Sequence, residues 1–313
     1  MWVEKYRPSN FSDLCGQESI VERLEKFVEN PKEIPHLLLA GPPGVGKTTA
    51  AMITCKKILG ENWKDFTLEL NASDERGINT VRNKIKIFAK HIDFRNKIPY
   101  RIIILDEADE MTNDAQTALR RIMESSSKTT RFILICNYSS RIIEPIQSRC
   151  SIFRFNRIDN ESIQKHLKKI CKLEKIKFSE EALEKITDAV NGDLRHSMNL
   201  LQSSANSGEL NSDNVKKIAG ISGKDKVSNI VSDALKGNFK EASKELNILI
   251  NVYGMNERDF LKFANSSVSN MEIEEIEKVI KILAKYDYRL IMGANPIIQL
   301  NALLSELALV NNK

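Results

Sequence analysis

Between residues 36 and 155, short apolar runs of strand length alternate with longer stretches whose apolar residues recur at helical spacing. The runs at 36–40, 66–70, 101–105, 131–136 and 151–155 predict strands, and 48–59, 79–91 and 113–123 predict helices between them. Strands joined by helical crossovers pair in parallel, and their sheet is covered on both faces. The expected fold is therefore α/β, and ligands of such sheets bind at the carboxyl ends of the strands.

After about residue 158 the strand pattern stops. Stretches 160–173, 179–190 and 193–205 predict short helices, with Asn160 and Ser179 as N-caps and Gly192 as a C-terminal stop. A weaker helix at 212–218 precedes a break marked by Gly220 and Gly223. The rest is again helical, with stops near Gly237 and Gly254, and Ile273, Ile276, Ile280 and Leu283 give one helix an apolar face. The expected division is an α/β domain over 1–158, a small helical domain over 159–223 and an all-helical domain over 224–313.

The 13 glycines and 8 prolines of the 313 residues are few for a turn-dense sandwich. A 42% hydrophobic share excludes global disorder. No apolar run approaches the ~18 residues of a membrane helix, and the N-terminus lacks the apolar core of a signal peptide. The five scattered cysteines read as reduced, mostly buried thiols of an intracellular protein, with neither a disulfide framework nor a zinc site. That places the chain in a prokaryotic cytoplasm, or in a nucleus if it is eukaryotic, with no membrane partner.

The first chemistry lies in Gly41-Pro42-Pro43-Gly44-Val45-Gly46-Lys47-Thr48, which follows a strand and opens a helix. In that context the motif is a phosphate loop. Its glycines let backbone N–H groups wrap an anion at the helix N-terminus. Lys47 neutralises β- and γ-phosphate charge, Thr48 offers a hydroxyl to Mg²⁺, and Thr49 lies beside them at the nucleotide.

The second lies in Asp106-Glu107-Ala108-Asp109, where a buried strand ends in carboxylates. Acids emerging from an apolar strand need compensation, and a magnesium ion provides it. Asp106 is the natural metal partner, and Glu107 can act as general base on the attacking water. The same four letters also spell the box of the RNA helicases, but the helical second half offers no second sheet. A nucleotide kinase is the other phosphate-loop rival.

With these motifs in view, the chain resembles the small subunits of the AAA+ clamp loader replication factor C, most closely those of archaeal type. The likeness covers nearly all of the chain and is strongest over 2–155. It runs through Trp-Val-Glu-Lys-Tyr-Arg-Pro at 2–8, Leu-Asn-Ala-Ser-Asp-Glu-Arg-Gly at 70–77, Gln-Thr-Ala-Leu-Arg-Arg at 116–121 and Glu-Pro-Ile-Gln-Ser-Arg-Cys at 144–150. The resemblance implies ATP with Mg²⁺ as cofactors. It makes Asn137 the sensor that contacts γ-phosphate or the lytic water. It assigns Arg149 to a finger completing a neighbour's site, and Arg195 to the lid arginine that reaches its own nucleotide. Val3, Tyr6, Arg7 and Pro8 match the segment lining the adenine pocket. His196 stands where many relatives carry a second arginine.

Charge is unevenly spread. The stretch 76–101 holds eight basic residues and one acid, against a net charge of +5 for the whole chain. On a helix Arg82, Lys86 and Lys90 form one stripe, beside an apolar stripe of Ile78, Val81, Ile85, Phe88 and Ile92. Alone, such a stripe is usually a solvated face. The resemblance makes it a track for DNA phosphates, with Gln116 and Arg120 facing the same chamber or linking DNA to the nucleotide site. It further implies that other small subunits, a large loader subunit, the ring-shaped sliding clamp and primer–template DNA are partners. The alternatives are an AAA+ motor that translocates DNA, such as a branch-migration helicase, and an inactive scaffold subunit. Intact Lys47, Asp106, Glu107 and Arg149 oppose the second.

Overall fold

The computed structural model describes residues 1–73, 84–89, 100–206, 210–218, 221–251, 255–269, 271 and 275–310. They fall into two compact units, Met1–Ser212 and Asp213–Lys313.

The first unit is built on a five-stranded parallel sheet: β1 (His36–Ala40), β2 (Thr67–Asn71), β3 (Arg101–Asp106), β4 (Thr130–Cys136) and β5 (Cys150–Arg154). Their spatial order is β2-β3-β4-β1-β5. The inner strands β3, β4 and β1 are nearly all buried, as expected where helices cover both faces. Ile103, Leu105, Phe132 and Leu134 pack with Leu119 and Met123 of the Asn113–Ser125 helix. All five predicted strands are present, shifted by a residue or so at their ends. Phe66 is taken by a 3₁₀ turn at Trp63–Phe66, which moves β2 one residue on. Pairing of Cys150 with His36 starts β5 one residue early.

Because the strands are parallel, Gly41, Asp106 and Asn137 emerge together at one edge of the sheet. Gly41 N–H donates to Cys136 O at 3.2 Å, so the chain leaving β1 is still tied to β4 as the phosphate loop begins.

Three helices complete this unit: Asn160–Leu173, Glu180–Val190 and Leu194–Asn206. Two expected caps are corrected by one residue. Asp159, not Asn160, caps the first helix, its Oδ1 accepting from Ser162 N at 2.8 Å. An ionised carboxylate is the stronger acceptor beside a helix N-terminus. Asn191, at φ 48°, ends the second helix immediately before Gly192. Ser179 caps that helix as expected.

The second unit is helical throughout its described residues and packs Val227, Ile230, Leu246, Phe260, Leu283 and Leu303 into a core of its own. Two expectations are corrected here. The helix Ile221–Leu235 begins at Ile221, so Gly223 lies inside it and not in a break. The buried face of Ile276–Ile291 is Val279, Leu283, Tyr286 and Leu290, while Ile280 is 46% exposed. Spacing from Val279 follows the helical period more closely than the stripe through Ile280.

Among the described residues no helix is long and apolar enough to cross a membrane. All five cysteines are free, and burial pushes the thiols of Cys55, Cys136 and Cys150 up to about 12.

Candidate nucleotide site

The phosphate loop leaves β1 and enters the Lys47–Leu59 helix through Gly41, Gly44 and Gly46, all at positive φ. At two of these positions a side chain would collide with its surroundings. A Cβ on Gly41 would lie 2.3 Å from Phe155 O, and one on Gly44 would lie 1.7 Å from Asp193 Oδ1. The glycines thus bring loop backbone against both the sheet edge and the helical segment that carries Arg195.

Lys47 is 7% exposed, and its Nζ donates to Gly41 O at 2.6 Å, Pro42 O at 2.7 Å and Asn137 Oδ1 at 3.0 Å. Burial lowers its pKa, while the Asp106 and Asp109 carboxylates oppose that shift. Thr48 Oγ1 donates to Asp106 Oδ2 at 2.8 Å, so both proposed metal ligands are hard oxygens within reach of one ion.

Glu107 follows in a left-handed conformation, φ 54° and ψ 38°, with its N–H on Asp106 Oδ1 at 2.9 Å. A bulky residue there carries strain of about 1–3 kcal/mol. The turn aims Glu107 into the cavity that Lys47, Thr48, Asp106, Asn137 and Arg195 also line.

A second, more apolar cavity adjoins the first through Gly44, Gly46, Thr49 and Arg195. Val3, Tyr6, Arg7 and Pro8 line it with Val45, so every residue expected of the base-binding segment borders this cavity. Sequence reasoning missed the rest of its lining, Leu14, Cys15, Ile158, His166, Leu194 and Met198. The N-terminal segment is fastened to the helices behind it. Trp2 N donates to Gln202 Oε1 at 2.9 Å, and Glu174 accepts from Lys5 Nζ at 2.6 Å and Tyr6 Oη at 2.5 Å.

Arg195 is exposed in the first turn of its helix, where Asp193 Oδ1 accepts His196 N at 2.8 Å and Leu194 N donates to Gly44 O at 3.2 Å. Arg149 lines neither cavity. Its guanidinium lies 2.6 Å from Glu124 and donates to Pro145 O at 2.7 Å, with the side chain 38% exposed.

The candidate DNA contacts fare unevenly. Arg82 and Lys90 lie outside the described residues, as do Ile78, Val81 and Ile92. Lys86 is exposed, while Ile85 is buried and Phe88 packs on the core, so the two faces expected of this segment hold where it is described. Arg120 is half-buried and 3.3 Å from Glu124, the carboxylate it shares with Arg149. Gln116 requires correction: at 1% exposure it cannot face DNA. Its amide nitrogen donates to Met111 O and Arg141 O, and its oxygen accepts Ile143 N, tying its helix to the turn after β4.

Comparison with known proteins fits this architecture. Residues 37–158 match the AAA family, ATPases associated with various cellular activities. Residues 165–205 match an AAA+ ATPase lid domain, and 223–306 the replication factor C C-terminal domain. A replication factor C small subunit of Staphylothermus marinus is 46% identical over 100% of this chain and 96% of its own length. Those of Archaeoglobus fulgidus and Sulfurisphaera tokodaii are 45% and 44% identical over 100% of the chain, and 98% and 96% of their own lengths. Among solved structures, RuvB of Thermotoga maritima superposes with a TM-score of 0.58 over 82% of this chain and 84% of its own, at 16% identity, a likeness of fold alone. Given a nucleotide cavity built on an AAA sheet and full-length identity above 40%, the chain belongs to the replication factor C small subunit family of AAA+ ATPases.

Proposed function

We propose that this chain is an ATP-hydrolysing subunit of a clamp loader, which opens a sliding clamp and places it on primer–template DNA. The observation that carries the reading is the meeting of Lys47, Thr48, Asp106, Glu107 and Asn137 in one cavity of a chain so similar to replication factor C small subunits. The base sits in the apolar cavity beside Val3, Tyr6, Arg7 and Pro8, and the phosphates lie along the loop N–H groups and Lys47. Thr48 Oγ1 and the Asp106 carboxylate would hold Mg²⁺, which would neutralise phosphate charge.

Hydrolysis then needs a water in line with the γ-phosphorus. Glu107 takes the water's proton as the new P–O bond forms and the bond to the β–γ bridging oxygen breaks, giving ADP and phosphate. Asn137 orients the water or γ-phosphate, and Arg195 reaches the nucleotide from its helix. Arg149, which lines neither cavity of its own chain, serves the adjoining subunit, where its charge offsets that developing on the phosphoryl group.

The partners in this reading are further small subunits, a large subunit, the clamp and primed DNA. Lys86, with Arg82 and Lys90, follows DNA phosphates without reading bases, and Arg120 is a further contact to the same DNA. We keep the three-way division at 158/159 and 223/224 as part of the proposal. It makes the first domain the motor, the second its lid and the third the collar that joins subunits.

The test is loading of the clamp onto primed circular DNA by the assembled loader with its large subunit. ATP should leave closed clamps on the circle, and a non-hydrolysable analogue should trap loader, clamp and DNA together. Strand movement on branched DNA without any clamp would favour a translocating motor and contradict the reading.

A further inference from the structure

Asp109 closes the acid box, and no step above uses it. Among the described residues only Lys47 and Asp109 are charged and buried to this depth, with Asp109 6% exposed. Its Oδ2 accepts the backbone N–H of Asn137 at 3.1 Å and of Tyr138 at 3.0 Å. Its Oδ1 is enclosed and has no hydrogen-bond partner. The two amides are those that follow the last residue of β4, and Asn137 turns its side-chain oxygen to Lys47 Nζ at 3.0 Å.

A capped turn alone would not call for this arrangement. A carboxyl group with one enclosed, unpartnered oxygen is costly to bury, and the two backbone donors on its other oxygen fix where it sits. Asp109 also sits in the 3₁₀ turn Ala108–Glu110, directly after strained Glu107. One side chain therefore joins the turn bearing the general base to the backbone of the sensor.

We propose that Asp109 is a positioning residue for hydrolysis: by gripping the Asn137 and Tyr138 amides it holds the Asn137 side chain at the γ-phosphate. This rests on the role given to Asn137 above, and the experiment separates the two. In the assembled loader, Asp109→Ala should lower kcat at least tenfold while the Kd for ATP stays within threefold. Asp109→Asn keeps an oxygen acceptor and should recover kcat to within threefold of the native value. Adding Asp109→Ala to Asn137→Ala should cost less than a further twofold, because both remove one function.

Native kcat in Asp109→Ala, or equal losses in kcat and ATP affinity, would overturn the proposal. So would full additivity with Asn137→Ala. If Asn137→Ala itself turned over at the native rate, the sensor reading would fail first. Should Asp109→Ala not fold, Asp109→Ser takes its place with the same thresholds. The amide proton resonances of Asn137 and Tyr138 in Asp109→Asn then give an independent readout. They should move upfield on loss of a charged acceptor, and unmoved resonances would also overturn it.

Discussion

Thr48 Oγ1 and Asp106 Oδ2 stand 2.8 Å apart, joining the first turn of the Lys47–Leu59 helix to the last residue of β3. Both are hard oxygen donors, and the Thr48 proton bridges them where a divalent cation would bring both to itself. Thr48→Val keeps the shape and removes one ligand. It should raise the Mg²⁺ concentration for half-maximal hydrolysis at least tenfold, while metal-free ATP binding stays within threefold. Titrating Mg²⁺ against hydrolysis checks this, and an unchanged midpoint removes Thr48 from the metal site.

Gly44 links the loop to Arg195. At φ 71° it tolerates a side chain only with strain of roughly 1–3 kcal/mol. A Cβ would also displace the Asp193 carboxylate that accepts the His196 N–H. Gly44→Ala should therefore weaken ATP binding at least tenfold and lower the Tm. Calorimetric titration and thermal unfolding read the two effects, and native values for both would contradict this packing.

His36 makes stability depend on pH. Its Nδ1 accepts Phe132 N at 3.1 Å, so the ring must be neutral, and burial with the nearby Arg131 charge lowers its pKa to about 4. The unfolded chain takes up this proton near pH 6.5 and the folded chain only near pH 4. Stability from this group is therefore complete above pH 6.5 and is lost progressively as pH falls toward 4, by an amount on the order of 3 kcal/mol. His36→Asn retains an acceptor without that titration. Its Tm should fall less than the native Tm between pH 7 and 4.5, and parallel curves would exclude His36 as the source.

The phosphate loop and acid box were legible in the sequence because each is a local device: the residues that meet the ligand are neighbours in the chain. The strands were legible because interior parallel strands are apolar throughout, as β3 and β4 are. The rest of the lining of the more apolar cavity was not. Leu14, Ile158, His166 and Met198 come from separate segments, and each alone has the pattern of an ordinary packing residue. Gln116 misled because helical spacing gives a face but not its direction, and an i, i+4 pair with Arg120 hid a fully buried amide. Glu124, now beside both Arg120 and Arg149, carried no signal of its own.

Lys86 is exposed on a segment whose other face is buried at Ile85, so its ammonium is open to solvent. Replacing Arg82 and Lys86 together by Ala should weaken loader binding to primed DNA. It should also flatten the slope of log affinity against log salt by about 2, at ~0.9 per lost phosphate contact. Binding at several salt concentrations gives that slope, and an unchanged slope would remove this helix from the interface.

The central claim is that ATP is cleaved at a seam between subunits, with Lys47 supplied by one protomer and Arg149 by the next. It is tested most directly by measuring ATP hydrolysis in loader assemblies of Lys47→Ala subunits, of Arg149→Ala subunits, and of the two mixed. The first should fail to bind ATP and the second should bind it without hydrolysis. The mixture should regain turnover wherever an intact Lys47 meets an intact Arg149. Native turnover in assemblies made wholly of the Arg149 variant, or none in the mixture, would contradict the account.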